Sequence, residues 1–160
     1  MTETLLEQAR AIVAPLVASV TQPEAHRLDA TLEASQLEGA AAALRGARWG
    51  FLTATTGLDH GAAVGRIEVL YHFCSGRVIV TLRVQLERDS PTVPTITPWF
   101  PAAAVGEREL AEMFGVTVTD LPDPSHLFLP DGWPDGMYPL RKAVCLPREL
   151  EAPDDDHERN

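Results

Sequence analysis

Apolar and polar residues alternate over two adjacent stretches, and this is the strongest pattern in the chain. Ile67, Val69, Tyr71 and Phe73 alternate with Arg66, Glu68, Leu70 and His72. After Ser75-Gly76, the residues Val78, Val80, Leu82, Val84 and Leu86 alternate with Ile79, Thr81, Arg83, Gln85 and Glu87. Period-two alternation on both sides of a Gly-containing turn predicts a half-buried antiparallel hairpin. One face should meet helices, and the other, with Leu70 and Ile79 among its charges, should face solvent or receive a partner.

Helical periodicity brackets this hairpin. Leu5, Leu6, Ala9, Ile12, Val13, Leu16, Val17 and Val20 recur at helical spacing behind a Thr4-x-x-Glu7 capping pattern. They predict a first helix, kinked or split at Pro15 and closed before Pro23. His26 to Leu32 reads as a short strand. Ser35 and Glu38 repeat the capping pattern before a second helix with Leu37, Ala40, Ala41 and Leu44, and Gly46 stands as its left-handed C-cap. Trp49 to Thr53 reads as a strand and Thr55-Thr56-Gly57 as a turn. Pro91, Pro94, Pro98 and Pro101 leave an extended connection. A third helix follows from about Ala102 to Phe114, with Arg108 and Glu112 as an i,i+4 ion pair and Gly115 at its end. Residues 121–147 are rich in Pro, Asp and Gly with little periodicity, and residues 148–160 form an acidic tail expected to be disordered. These elements predict an α+β fold: a two-layer sandwich of a mixed, largely antiparallel sheet of four to five strands, with helices on one face. The expected domain spans residues 1–120, followed by a partner-wrapping extension over 121–147.

Charge narrows the function classes. The 160 residues hold 23 acids and 13 Lys or Arg, a net charge of −10. Nucleic-acid binding rests on Lys and Arg neutralising phosphates, so a nucleic-acid partner is not expected. Cys74 and Cys145 are the only cysteines, in no ligand-like spacing, which argues against a disulfide framework or a thiolate-held cluster. The start Met-Thr-Glu-Thr lacks the basic region of a signal peptide. No apolar run approaches the roughly 20 residues that span a bilayer.

Candidate chemistry is sparse. His72 and Cys74 share a strand face, but two ligands do not make a metal site. Phosphate-binding and dinucleotide-binding glycine loops and the Gly-x-Ser-x-Gly elbow do not occur. Glu107, Glu109 and Glu112 could serve as acid/base carboxylates, yet Glu109 and Glu112 at i,i+3 read most simply as a solvated helix face. A stand-alone enzyme would have to use carboxylates such as Glu107 and Asp123.

Glu107-Arg108-Glu109, followed by Met113-Phe114-Gly115-Val116, resembles the signature helix of the 30 kDa (C-type) subunit family of respiratory complex I, the NADH-quinone oxidoreductase. The surroundings agree in order: Val93-Pro94-Thr95-Ile96-Thr97 and Trp99-Phe100 upstream, then Pro122-Asp123, Leu127-Phe128-Leu129-Pro130-Asp131, Trp133 and Pro139-Leu140-Arg141-Lys142. The run Trp133-Pro134, Gly136, Tyr138-Pro139 is also similar to the version in energy-converting [NiFe]-hydrogenases. The family usually carries Trp-Tyr where this chain has Val105-Gly106, and Tyr-Asp where it has Ala111-Glu112.

The resemblance implies a non-catalytic scaffold without iron–sulfur cluster, flavin, nickel or other cofactor, packed on a hydrogenase-like large subunit. Membrane association would come only through the complex, on the cytoplasmic face. It further implies that Glu107, Arg108, Glu109, Phe114, Gly115, Asp123, Trp133, Pro139, Leu140, Arg141 and Lys142 are signature or partner-contact positions. Arg108 would form a bidentate carboxylate pair, Phe114 and Trp133 would be apolar anchors, and Arg141 and Lys142 charged contacts.

Overall fold

The hairpin's inward set, from Ile67 to Leu86, forms the centre of the core in the computed structural model, which describes residues 2–142 and 144. The order of elements is α1 (Thr2–Val13), a 3-10 turn (Ala14–Leu16), β1 (Ser19–Glu24), β2 (Arg27–Leu32), a 3-10 turn (Ala34–Gln36) and α2 (Leu37–Gly46). Then come β3 (Phe51–Asp59), β4 (Arg66–Ser75), β5 (Val78–Glu87), β6 (Thr92–Pro94), α3 (Ala103–Phe114) and β7 (Thr117–Thr119). Five strands make one sheet in the order β1-β2-β5-β4-β3, and β6 and β7 form a separate parallel pair. In the large sheet β2 and β5 run parallel and the other neighbours antiparallel. The fold is therefore an α+β sandwich with a mixed, largely antiparallel sheet.

One face of the sheet carries the apolar rows. Leu28, Ala30 and Leu32 stand beside Val80, Leu82 and Val84, which stand beside Phe73, Tyr71 and Val69. All nine are buried. Leu6, Ala9 and Val13 of α1 and Leu37, Ala40, Ala41 and Leu44 of α2 close over this face. The Trp49 indole N–H donates to the Leu5 carbonyl at 3.2 Å, tying α1 to the entrance of β3.

The opposite face is closed by lateral pairing. Arg27 grips Asp29 with two hydrogen bonds of 2.8 and 3.2 Å, Arg83 bridges Asp29 (2.9 Å) and Glu68 (2.7 Å), and His60 meets Glu68 at 3.2 Å. Burial alone would raise the Glu68 pKa, but Arg83 and His60 outweigh it and hold the carboxyl below its ordinary value. His72 sits between Thr56 and Thr81, and burial lowers its pKa, which favours the neutral ring. Among the described residues no group of three or more His, Cys, Asp or Glu could hold a metal ion.

Several boundaries depart from the sequence reading. The first helix begins at Thr2, so Thr4 lies inside it rather than at its cap, and it stops at Val13. Proline removes the hydrogen bond that would continue the α-helix, so the chain turns through Ala14–Leu16. Val20 and Pro23 then belong to β1, an outer strand where a missing N–H is tolerated. The capping box lies at Glu33 and Gln36, two residues before the Ser35–Glu38 pair. Gly46 ends α2 in ordinary geometry, and the left-handed residue is Arg48, at φ 52°.

Thr55-Thr56-Gly57 lies within β3, not in a turn. Its glycine serves close packing there: a Cβ at Gly57 would stand 2.5 Å from the Phe114 ring. β7 has no signal in the sequence pattern, and β6 includes Pro94 because its two-stranded sheet leaves the proline nitrogen without a required partner. Residues 145–160, including Cys145 and the acidic tail, lie outside the described residues.

Two glycines give a matched test. Gly57→Ala should destabilise the fold by about 1–3 kcal/mol through overpacking against Phe114. Gly39→Ala, in open space at an exposed position of α2, should stabilise it by about 1 kcal/mol. Urea denaturation of both variants checks the opposite signs.

Candidate functional site: a helix that holds the C-terminal segment

The signature helix α3 joins the sheet on one side and the irregular C-terminal segment on the other. Its inner contact is Glu107, which is fully buried. One carboxylate oxygen accepts the Tyr71 hydroxyl at 3.3 Å and the Ile96 backbone N–H at 2.9 Å, while the other accepts the Thr95 hydroxyl. Thr95 also pairs with Thr97, whose backbone N–H it accepts at 3.2 Å. Burial raises the Glu107 pKa, opposed by the donors from Thr95, Ile96 and Tyr71. The Tyr71 pKa is raised by burial and by the neighbouring carboxyl. This set fastens β4, the stretch after β6 and α3 around one side chain.

The outer side of α3 works mainly on main-chain atoms. Arg108 donates to the Ser125 carbonyl, the Ser125 hydroxyl and the His126 carbonyl, each at 2.9 Å. The Asp123 carboxylate is more distant, at 3.6 Å, and instead accepts the Ser125 N–H at 3.0 Å. Glu112 accepts three successive backbone N–H groups, from Leu127, Phe128 and Leu129, at 3.0, 2.8 and 3.2 Å. The expected Arg108–Glu112 ion pair does not form, because each side chain reaches the segment separately. Glu112, buried at 6% exposure, is not part of a solvated face. Glu109 is half-buried and has no ion-pair or hydrogen-bond partner among the described residues.

The C-terminal end of α3 is capped by the same segment. Helices leave their last carbonyls without internal donors. Gly115, at φ 66°, turns the chain so that its own N–H returns to Ala111 and that of Val116 to Leu110. The Leu140 N–H then bonds Met113 O at 3.1 Å, and Arg141 Nε bonds Phe114 O at 2.7 Å. Tyr138 packs so close that a Cβ at Gly115 would stand 2.3 Å from its ring, and Arg141 lies over that ring at 4.8 Å. The Trp133 indole donates to Met137 O at 2.8 Å and holds the intervening turn.

A second fastening closes the segment. Asp59, buried at the end of β3, accepts two bonds from Arg88, at 2.9 and 3.1 Å, and backbone N–H groups of Gly61 and Lys142, each at 2.8 Å. Arg88 also donates to Lys142 O at 3.2 Å. The Arg88 bond, aided by the two N–H donors, overcomes burial and holds Asp59 well below the usual carboxylate range.

Of the sequence-predicted positions, Glu107, Arg108, Phe114, Gly115, Leu140, Arg141 and Lys142 all join this frame. Phe114 packs inward at 7% exposure. The Lys142 contribution is its backbone. Pro139 lies between Tyr138 and Leu140, the two residues that meet the end of α3. The sequence reading gives Asp59 and Arg88 no role, and it names Tyr71 only as a strand position and Thr95 only in the upstream run, because the contacts that place them in this frame join residues far apart in the chain. In the sequence Glu112 reads as an acid four residues after Arg108 and as part of a solvated helix face, and neither reading points to its hold on the segment.

A recess of about 200 Å³ lies between α3 and the segment, bordered by Arg108, Glu112, Ser125, His126, Trp133 and Tyr138. It does not join the two carboxylates an enzyme reading would need. Glu107 is sealed in the core, and the Asp123 side chain is 63% exposed at the surface.

Residues 30–149 match the family described as respiratory-chain NADH dehydrogenase, 30 kDa subunit. The chain is 38% identical over 112 residues to formate hydrogenlyase subunit 5 of Escherichia coli, covering 68% of this chain and 20% of that protein. It is 36% identical over 104 residues to the C-type subunit of NADH-quinone oxidoreductase from a Roseiflexus species, covering 64% and 59%. The chain thus spans a fifth to about three fifths of these curated relatives. Among solved structures, a chain of the archaeal membrane-bound sulfane sulfur reductase aligns with a TM-score of 0.76 at 21% identity, covering 90% of this chain and 85% of that one. A trypsin-resistant fragment of Nqo5 aligns with a TM-score of 0.62 at 24% identity, covering 76% and 97%.

Glu107 should control both stability and its pH dependence. Glu107→Ala leaves three buried donors without an acceptor and should cost about 3 kcal/mol or more. Because the folded-state pKa is raised, the proton is held more tightly when folded. Stability from this group is complete below the unfolded value of 4.5 and is lost as pH rises through the folded value. Urea denaturation from pH 4.5 to 8 should show wild type losing stability relative to Glu107→Gln as pH rises. A flat difference would mean that folding leaves the carboxyl pKa unraised.

Proposed function

The chain belongs to the family of the 30 kDa subunit of respiratory-chain NADH dehydrogenase, and from that premise we propose that it is a docking subunit of a membrane-associated redox complex, without catalytic groups or cofactors of its own. In this reading it binds the hydrogenase-like large subunit of the peripheral arm and supports electron transfer from NADH to quinone carried out by its neighbours. Its seat is the cytoplasmic face of the membrane, reached through the complex. No helix among the described residues is long and apolar enough to cross a membrane.

One observation carries this reading. The segment 121–142 has no regular secondary structure, yet charged side chains of α3 fix its path while Phe128 and Leu140 remain 60% and 52% exposed. An ordered backbone that turns large apolar side chains outward is suited to seating a partner. A second reading, the equivalent subunit of an energy-converting hydrogenase, draws support from the 38% identity to formate hydrogenlyase subunit 5.

Affinity purification from the native host in mild detergent should recover a hydrogenase-like large subunit. Phe128→Asp and Leu140→Asp should each reduce that recovery while circular dichroism stays unchanged. Recovery of the chain alone across a range of salt would overturn the docking reading. Co-purified NADH-oxidising or nickel-containing subunits would distinguish the two complexes.

A further inference from the structure

We propose that the free edge of β3 is a docking site for an extended strand of a partner protein carrying a Lys or Arg opposite Glu109. This site goes beyond the docking surface on the C-terminal segment: Leu140 of that segment borders one end of it, and Phe128 lies outside it.

β3 is the last strand of the sheet, so its outer edge pairs with no other strand among the described residues. The antiparallel ladder decides which groups face outward. The His60 N–H bonds Arg66 O, and the register continues from Asp59↔Ile67. Backbone groups alternate between facing the partner strand and facing away, so those of Thr55 and Gly57 point to the open edge.

Beside this edge runs a trough. One part, about 270 Å³, lies between Leu52–Thr55 and Ala102, just before α3, with Val105, Gly106 and Glu109 of the helix. The next, about 220 Å³, lies between Thr55–Gly57 and Glu109, Leu110, Phe114 and Leu140. Glu109 borders both. Gly106 permits this geometry, since a Cβ there would stand 2.6 Å from the Thr55 Cβ.

The two edges of the sheet are treated differently. β1 carries Pro23, Glu24 and an irregular register between Thr21 and Glu24, devices that prevent an edge from pairing. β3 has no charge from Phe51 to Leu58, and its only irregularity is the register shift at Leu52/Ala54. Phe51 is 63% exposed and Leu58 43%. From Ala54 to Leu58 the edge is regularly paired on its inner side, uncharged and free of proline, and such an edge is a template for an added strand.

Charge selects the occupant. Glu109 stands at the middle of the trough without a cationic partner among the described residues. A second copy of this chain would bring another net charge of −10 and, in an antiparallel pairing, a second Glu109 toward the first. A basic extended segment satisfies both the backbone edge and the carboxylate.

The test uses the full chain in its native host with p-benzoylphenylalanine in place of Val105, which is 55% exposed at the trough rim. Illumination should yield a crosslink to a partner segment that mass spectrometry identifies as bearing Lys or Arg. Thr55→Pro deletes one outward N–H and leaves the β4 ladder intact. Glu109→Lys reverses the charge, and each variant should cut the crosslink yield by about tenfold or more at unchanged circular dichroism.

Crosslinks only to a second copy of this chain would overturn the proposal. Yields unaffected by both variants, or no crosslink at all, would do the same. The same probe in place of Phe128 reports the C-terminal surface independently, so failure of one site is distinguishable from failure of the other.

Discussion

A carboxyl group sealed inside an apolar core is costly unless every oxygen finds a donor, and the placement of α3 depends on Glu107 meeting that condition. The three donors come from β4, from the stretch after β6 and from a threonine that is itself tied to its neighbour. None of them is supplied by α3 itself. The helix can therefore settle only where the sheet and the proline-rich crossing are both in place. Once it is there, Phe114 reaches the gap left by Gly57 and the last turn points toward Tyr138.

From this fixed helix the C-terminal segment inherits its course. Arg108, Glu112 and the carbonyls of Met113 and Phe114 lie in order along α3, and they engage residues 125–126, 127–129 and 140–141 in the same order. The Asp59–Arg88 pair then receives residue 142. A segment with little hydrophobic periodicity is thereby ordered by electrostatics and end-capping rather than by a core of its own. The polar face of the sheet follows a related rule, with Arg83 joining two carboxylates across strands.

The parts legible in the sequence are those whose signal is local. Alternation along residues 66–87 marks both strands of the hairpin and their inward residues, and the 3.6-residue stripe places α3 to within one residue at its start. Errors arise where a local signal competes with a distant one. Thr55-Thr56-Gly57 has turn chemistry, but pairing with β4 and the Phe114 ring overrides it. The stripe through Val17 and Val20 continues that of α1, yet Pro15 ends the helix and pairing with β2 takes the rest. The acids of α3 look alike in sequence. Only the folded chain separates sealed Glu107, backbone-bound Glu112 and Glu109, which has no partner among the described residues.

The grip on the C-terminal segment has a consequence for how this surface can change. Arg108, Glu112 and Arg141 hold or are held mainly through amide hydrogens and carbonyl oxygens, which every residue except proline supplies in full. The route of the segment is thus indifferent to most of the side chains it carries. Phe128, His126 or Leu140 could be rewritten for a different neighbour while the track beneath them stayed in place, so that partner identity and chain path become separately adjustable properties of one short stretch.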